Sequence, residues 1–304
     1  MDDDTCSTVG GYLSIRRRLM PSHHTALVVI TLGAAFVNGA LGYGFSSITV
    51  PLALLFLNNR ALNPALVLLE LALNAYVVWV NRAALPQVWR RVVPLGIGLA
   101  PGVLLGTLII STVSPDWLKL ATYIVLLPPI LVQAAGYRRP IRAERTAGLL
   151  FGSGLGVLYA VTTISGPPLA VALNNQGLSK HEFRAALGIV RLTESILTAF
   201  AYLIAGLFVR DSLGLLPWIV PGVIAGVPLG AVAINRVRAE TFRRVCMSFD
   251  AWVVSFGISA LFRTLHVIDS RGAFGVMAAV IAIDAWLLYR FFSRAPARKA
   301  THAA

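Results

Sequence analysis

The stretch Pro51-Leu-Ala-Leu-Leu-Phe-Leu-Asn58-Asn59-Arg-Ala-Leu62 recurs 117 residues later as Pro168-Leu-Ala-Val-Ala-Leu-Asn174-Asn175-Gln-Gly-Leu178. Further along, Gly102-Val-Leu-Leu-Gly106 is echoed 124 residues later by Gly226-Val-Pro-Leu-Gly230. In both cases an acid follows ten residues after the second glycine, and a base follows three residues after the acid. Two similar blocks in the same order indicate an internal duplication.

Composition places the chain in a membrane. Of its 304 residues, 57% are hydrophobic and 13% are charged, whereas a soluble domain carries about 25% charged residues. Several apolar runs approach or exceed the roughly 20 residues that a helix needs to cross a bilayer. These runs fall at 26–57, 63–81, 92–113, 118–136, 147–173, 185–209, 215–235, 245–262 and 273–292.

The net charge of +13 does not point to nucleic acid, because the basic residues lie in short loops between apolar runs. That distribution is the orientation signal of a multi-pass membrane protein. Cys6 and Cys246 form no disulfide framework.

The predicted order of segments follows from these runs and loops. It is a polar tail 1–24, membrane repeat 25–136, basic loop 137–146, membrane repeat 147–264, an extra transmembrane helix 273–292 and a basic tail 293–304.

The first and fifth runs are interrupted by residues that break helices. The residues predicted to break them are Gly39, Gly42, Gly44, Gly156, Gly166, Pro167 and Pro168. Before the first break, residues 26–37 would form a helix of about 18 Å, which is short of the roughly 30 Å hydrocarbon core. Each run is therefore either one broken spanning helix or a re-entrant hairpin of two half-helices. Close helix packing is the alternative use of such glycines.

The basic residues separate these two topologies. Nine spanning segments would leave the charges almost evenly divided, whereas seven spans and two hairpins place 17 basic residues on one side and 8 on the other, with Arg191 inside a helix. The positive-inside rule makes the richer side cytoplasmic. Each repeat then holds one hairpin and three spans, so the two repeats are predicted to be inverted. Arg16, Arg17 and Arg18 would face outward in this arrangement.

A half-helix that starts inside the membrane directs backbone N–H groups and a positive dipole end toward the protein interior. Hydroxyl side chains at the two expected starts could donate hydrogen bonds to an anion. The predicted substrate-binding hydroxyls are Ser46, Ser47, Thr49, Thr162, Thr163 and Ser165.

Few charges lie inside the apolar runs, and each needs a partner or a function there. Arg191 and Glu194 are three residues apart and could form a salt bridge on one helix. Alternatively, Arg191 supplies the positive charge that binds an oxyanion. Glu70 or Glu194 could carry a coupling proton. Asp250 and Asp284 are predicted to make structural contacts.

No catalytic constellation is found in the sequence. It contains no metal-binding His-x-x-x-His pattern, no phosphate-binding loop and no Gly-x-Ser-x-Gly nucleophile motif. We therefore predict a protein that is not an enzyme and that needs neither a cofactor nor a metal.

The duplicated blocks, with Gly39-Ala-Leu-Gly42-Tyr-Gly44 and Ser165-Gly-Pro-Pro168 followed by Gln176-Gly-Leu and Phe183-Arg184, resemble the sulfite exporter TauE/SafE family, also called the toluene sulfonate uptake permease family. The likeness covers about residues 26–265. It implies a multi-pass protein of the bacterial inner membrane, with a small sulfur-containing oxyanion or an organosulfonate as substrate. The segment Tyr159-Ala-Val-Thr-Thr163 departs from the family's glycine-rich pattern, so the substrate pocket is expected to differ.

We therefore predict an all-α integral membrane protein of two inverted repeats. It would be a secondary transporter of a small anion such as sulfite, a sulfonate or a related carboxylate, working by alternating access and coupled to protons. A homodimer is compatible with this prediction. The alternatives are an anion channel, and a membrane enzyme or non-transporting membrane subunit.

Overall fold

The computed structural model describes residues 24–135, 145–174, 178–233, 239–268 and 272–294, and these residues form helices joined by short connections, with no strand among them. The helices are α1 (His24–Leu41), α2 (Phe45–Ala53), α3 (Asn59–Val80), α4 (Leu85–Thr112), α5 (Pro115–Ala134), α6 (Arg145–Thr162), α7 (Gly166–Asn174), α8 (Lys180–Ile204), α9 (Arg210–Leu213), α10 (Leu216–Ala233), α11 (Ala239–Thr264) and α12 (Gly275–Arg294). The predicted N-terminal tail up to residue 23, most of the connecting loop and the C-terminal tail from residue 295 lie outside the described residues.

Among the described residues, seven helical stretches are long and apolar enough to cross a membrane. They are His24–Leu41, Asn59–Val80, Arg82–Thr112, Pro115–Val132, His181–Ile204, Arg210–Ala233 and Arg244–Thr264. The all-α, multi-pass character predicted from composition is thereby confirmed. The set includes α1, which the sequence placed in a hairpin, and it leaves out α12.

Two helix breaks interrupt the bundle, and their geometry is nearly the same. The 18-residue α1 and the 9-residue α2 are separated by residues 42–44, and the 18-residue α6 and the 9-residue α7 by residues 163–165. Gly42 and Gly44 adopt positive φ angles of 85° and 108°, and Thr163 has a φ of 56°. These left-handed conformations stop the helices, at low cost for glycine and with strain for threonine.

Gly39 and Gly156 correct the predicted position of the breaks, because each lies inside a helix. The first helix therefore runs on through residue 41 and reaches about 27 Å, not about 18 Å. Neither glycine is needed for a turn. A side chain at Gly39 would collide with the carbonyl of Val227, and one at Gly156 with the carbonyl of Leu99. At these two positions the glycines permit close helix packing, the alternative use of such residues.

The first broken segment begins and ends at the same end of the bundle. His24, at the start of α1, stacks on Trp218 at the start of α10, with ring centroids 4.5 Å apart. Just before α10, Ser212 donates a hydrogen bond of 3.2 Å to the carbonyl of Arg60 at the start of α3. The chain therefore crosses inward through α1 and returns through α2.

The second broken segment begins and ends at the opposite end. That end is marked by Asn81, after α3, which contacts His181 at the start of α8 over 3.3 Å. α6 begins on this side, with Gly148 beside Pro94 of α4. α6 ends near the start of α3, where the Asn63 amide donates to the carbonyl of Val161 over 2.6 Å, and α7 leads back to α8.

The duplicated glycine pairs hold the two halves of the chain together. Gly102 and Gly106 of α4 lie against Ser153 and Val157 of α6. In the reciprocal contact, Gly226 and Gly230 of α10 lie against Leu32 and Phe36 of α1. Each glycine pair thus packs on the long broken helix of the other half, at a distance that leaves no room for a Cβ atom.

Candidate functional site

An ion pair between the two halves of the chain lies at the centre of the bundle. Arg191 Nη2 donates to Glu70 Oε1 at 2.6 Å, and the two side chains are 4% and 1% exposed. Glu70 is eleven residues into α3 and Arg191 is eleven residues into α8. At 1.5 Å per residue each lies about 16 Å from the start of its helix, close to the middle of a roughly 30 Å hydrocarbon core. The pairing differs from the predicted alternative, since Arg191 contacts Glu70 of α3 and not Glu194 of its own helix.

The carboxylate of Glu70 accepts hydrogen bonds from two further elements. Ser46 of α2 donates to Oε1, and the Tyr159 hydroxyl of α6 donates to Oε2 over 2.8 Å. The Tyr159 hydroxyl also contacts Ser195 Oγ at 2.8 Å, and Asn74 Nδ2 donates to the same oxygen over 3.3 Å. Donors from α2, α6 and α8 thus converge on one carboxylate from α3.

Glu194 occupies a matching place in the second half of the chain, and fewer groups donate hydrogen bonds to it. Ser165, immediately before α7, donates to Glu194 Oε2, as Ser46 in the first turn of α2 donates to Glu70. Glu194 Oε1 has no hydrogen-bond partner among the described residues, although the residue is fully buried. Each half-helix start is therefore linked by a serine to a glutamate on the following long helix, and Glu70 is the one that Arg191 contacts.

The two helix breaks meet at this site. A Cβ atom on Gly166, the first residue of α7, would lie 3.5 Å from Tyr43 Cβ in the first break. The starts of α2 and α7 do not offer the same donors, however. Pro167 and Pro168 have no N–H group, so the first turn of α7 presents fewer backbone donors than the start of α2, which carries Ser46 and Ser47.

The predicted substrate-binding hydroxyls fall into three groups. Ser46 and Ser165 donate to the two glutamates. Three others hold the breaks together by donating to backbone carbonyls: Ser47 to Gly44 over 3.1 Å, Thr162 to Leu158 over 2.6 Å and Thr163 to Thr162 over 2.7 Å. Thr49 is buried, and its hydroxyl has no partner among the described residues.

The end of α6 is capped by side chains from neighbouring helices. The Asn63 and Asn59 amides both donate to the carbonyl of Val161, over 2.6 and 3.3 Å, and the Tyr202 hydroxyl donates to the carbonyl of Ala160. Carbonyls exposed by the break are thereby satisfied inside the bundle, where water is scarce. These side chains fix the position of the break that carries Ser165.

Two of the residues around Glu70 had not been predicted from the sequence. Tyr159 was noted only as part of a departure from a glycine-rich pattern, and Ser195 was not singled out. A useful signal was present in the spacing, because Tyr159 lies one turn before the break and Ser195 lies one turn after Arg191. Residues one turn apart share a helix face.

The arrangement can bind a small anion in one specific way. Arg191 is a planar donor suited to oxyanions, and its Nε has no hydrogen-bond partner among the described residues. At present the carboxylate of Glu70 occupies the Nη2 donor of Arg191 and the hydroxyls of Ser46 and Tyr159. An oxyanion could take the place of this carboxylate, since a carboxylate and an oxyanion accept the same donors.

The two comparisons that found a match both point to sulfite exporters. The family model described as "Sulfite exporter TauE/SafE" matches residues 27–257. The chain is 31% identical over 121 residues to a probable sulfite/organosulfonate exporter TauE of Cupriavidus necator, a match that covers 37% of this chain and 46% of that relative. The matched part thus spans about half of the relative's length. No solved structure matches the chain with significance.

Proposed function

Because the chain belongs to the sulfite exporter TauE/SafE family, we propose that it is a secondary transporter that carries a sulfite or organosulfonate anion across the bacterial inner membrane. The observation that carries this proposal is the buried Arg191–Glu70 pair at the meeting point of the two helix breaks. A buried ion pair costs several kcal/mol of desolvation and is rarely placed at mid-membrane without a functional reason.

The substrate would bind where the Glu70 carboxylate now lies. Arg191 would supply the positive charge, and Ser46 and Tyr159 would supply neutral hydroxyl donors. Ser165 and Thr49 are the predicted hydroxyls close to the second break and α2 that could contact the same anion. Ser47, Thr162 and Thr163 would support the site indirectly, because their hydroxyls bond to the backbone of the breaks.

Charge balance suggests how a proton takes part. With Glu70 ionised, the Arg191–Glu70 pair is neutral. If Glu70 takes up a proton it releases Arg191, and a monovalent anion restores neutrality. The loaded and empty sites then have equal charge, so both avoid an uncompensated charge in the membrane interior. The net movement is that of a neutral acid, and its direction follows the combined gradients of proton and anion.

Alternating access would arise from movement of the two broken segments relative to each other. Inverted repeats commonly produce this motion around a midplane site. The entry of α1–α2 and α6–α7 from opposite ends of the bundle, and the equal lengths of their helices, support this organisation.

Flux measurements in proteoliposomes test the proposal. The purified protein should take up radiolabelled methanesulfonate, a monovalent anion that is not oxidised, with saturable kinetics. An inward proton gradient should accelerate this uptake, and a potassium diffusion potential set with valinomycin should leave it unchanged. Empty liposomes and liposomes containing Arg191→Gln protein are the controls. Labelled sulfite is then compared at the same pH.

Two results would contradict the proposal. Flux that follows the membrane potential and ignores the proton gradient indicates an anion channel. Absence of flux for both anions, from protein that remains folded, removes small sulfur oxyanions as the substrate class.

A further inference from the structure

Arg184 is a basic side chain that takes no part in the central Arg191–Glu70 ion pair. It lies four residues into α8 and is half-buried. A Cβ atom on Gly42, in the first helix break, would lie 3.5 Å from Arg184 Nε and 3.7 Å from Arg184 Cγ. The guanidinium thus lies directly over the break, and it makes no hydrogen bond or ion pair with any other residue that the structure describes.

The corresponding arginine in the first repeat is fully engaged. Arg60 precedes Arg184 by 124 residues, the same offset that relates Glu70 to Glu194 and Gly102 to Gly226. Its guanidinium donates to the carbonyls of Ile110, Ser111 and Val113 over 2.7, 2.7 and 3.0 Å, and so caps the end of α4. The same position is therefore a helix cap in one repeat, whereas in the other the guanidinium lies against a break.

Arg184 lies between the end of the bundle and the central site. It is seven residues before Arg191 on α8, which is two turns along one helix face and about 10 Å. It is also about 6 Å from the start of α8, and that start lies at the end of the bundle marked by the Asn81–His181 contact. An anion that approaches Arg191 from this end would meet Arg184 first.

We propose that Arg184 and the break at Gly42–Gly44 form a second anion position, an entrance site that receives the oxyanion and passes it to Arg191. This inference rests on the proposed transport function. The planar guanidinium can bind two oxygens of a sulfonate or sulfite at once. Partial burial strengthens this attraction relative to a fully exposed charge. Gly42 leaves space beside the guanidinium that a side chain would fill.

The entrance site gives the transporter a preferred loading side. The end that carries Arg184 also carries the loops rich in basic residues, and the positive-inside rule makes that side cytoplasmic. The site would therefore load substrate for export. It would lower the half-saturating concentration for an anion offered from the cytoplasmic side. The half-saturating concentration from the other side would be unchanged.

Charge restoration by chemical modification tests this site. In a background with Cys6→Ser and Cys246→Ala, the variant Arg184→Cys should raise the half-saturating methanesulfonate concentration about tenfold when the anion is offered from the Arg184 side. It should leave the value unchanged from the opposite side. A cationic methanethiosulfonate reagent, which adds a trimethylammonium group, should restore the affinity, whereas the anionic sulfonatoethyl reagent should not. Methanesulfonate is used because sulfite cleaves mixed disulfides.

Arg82→Cys is the matched control. Arg82 is an exposed arginine at the same end of the bundle, and its guanidinium lies 5.4 Å from the ring centroid of Trp79 and donates to the Trp79 carbonyl. Neither this substitution nor the two reagents should alter the half-saturating concentration of methanesulfonate.

The outcomes separate the two proposals. If the parent protein shows no saturable flux, the transport function itself is overturned. If the parent transports normally, three results would each overturn the entrance site alone. These are an unchanged half-saturating concentration in Arg184→Cys, an equal effect of both reagents, and an equal loss of affinity from the two sides.

Discussion

At the scale of single residues, the central site contains one guanidinium and two carboxyl groups, each of which is buried. Arg191 contacts Glu70 directly, and Glu194 is held by Ser165. A charged group in a membrane interior is stable only when it is paired or neutralised. The behaviour of this site should therefore depend on which charges remain after a substitution.

Removal of Arg191 should destabilise the protein more than removal of the whole pair. In Arg191→Gln, the buried Glu70 loses its counterion, and we expect a loss of about 3–5 kcal/mol. The double variant Arg191→Gln/Glu70→Gln should recover most of this stability, because no unpaired charge remains, yet it should still fail to bind methanesulfonate. Thermal unfolding in detergent and anion binding by calorimetry measure the two effects.

Arg191→Lys is the conservative comparison, since it keeps the charge and loses the planar geometry. It should be stable and should bind the anion more weakly than the parent. If the double variant binds methanesulfonate as the parent does, Arg191 is not the anion ligand.

Substitution of Glu70 should uncouple anion movement from protons. In Glu70→Gln, the positive charge of Arg191 is permanent, so an anion can bind without a proton. We expect methanesulfonate flux that no longer responds to a pH gradient and that now responds to the membrane potential. Proteoliposome flux under each gradient measures this change.

Glu194→Gln is the matched variant, because it removes a buried carboxyl group that Arg191 does not contact. It should keep proton-dependent flux of the monovalent anion. If Glu194→Gln abolishes the pH response and Glu70→Gln preserves it, the coupling proton resides on Glu194.

The sequence identified the charged residues of this site, and the pairing between them required the structure. Arg191, Glu70 and Glu194 are visible as charges inside apolar runs. The spacing of Arg191 and Glu194 suggested an intrahelical pair, because contacts within one helix are the only ones that spacing reveals. The pair with Glu70 depends on how α3 and α8 pack, which no local pattern encodes.

At the scale of elements, the helix breaks and the glycine contacts have separate roles. Gly42 and Gly44 break the first segment through positive φ angles, whereas Gly39, Gly102 and Gly230 permit close packing. Composition alone does not distinguish the two uses, because glycine favours both. For this reason the sequence placed the first break about four residues too early.

Packing glycines and open glycines should respond in opposite ways to alanine. A Cβ atom on Gly230 would collide with the carbonyl of Phe36, whereas one on Gly154 would meet nothing within 4 Å. We expect Gly230→Ala to lower stability by about 1–3 kcal/mol through overpacking. Gly154→Ala should be neutral or stabilising by up to about 1 kcal/mol, because alanine favours helix. Thermal unfolding of the two variants in the same detergent measures the difference, and equal effects would contradict the close packing of α10 on α1.

At the scale of the whole molecule, the number of spanning segments depends on whether α1–α2 crosses the membrane or returns. The contacts of His24 with Trp218 and of Ser212 with Arg60 place both ends of this segment together. Length and apolar composition could not settle this point, since the 18-residue α1 is long enough to count as a span. Inward and outward helices have the same composition, so in the sequence only the distribution of basic residues favoured seven spans over nine.

Cysteine accessibility tests the topology directly. In the background without Cys6 and Cys246, a cysteine replacing His23 and one replacing Asn58 should react with an impermeant reagent from the same side of the membrane. A cysteine replacing Arg82 should react from the opposite side. Labelling of the His23 position together with the Arg82 position, and from the side opposite to Asn58, would show that the first segment crosses the membrane.

The reciprocal glycine contacts have a consequence for the origin of the fold. Because α4 packs on α6 and α10 packs on α1, neither half of the chain contains the surface that its own glycine pair requires. A half-length ancestor would have left that surface exposed to lipid unless a second copy covered it. If the chain arose by duplication, as its repeated sequence blocks predict, the two ancestral halves would have covered these surfaces for each other as separate subunits.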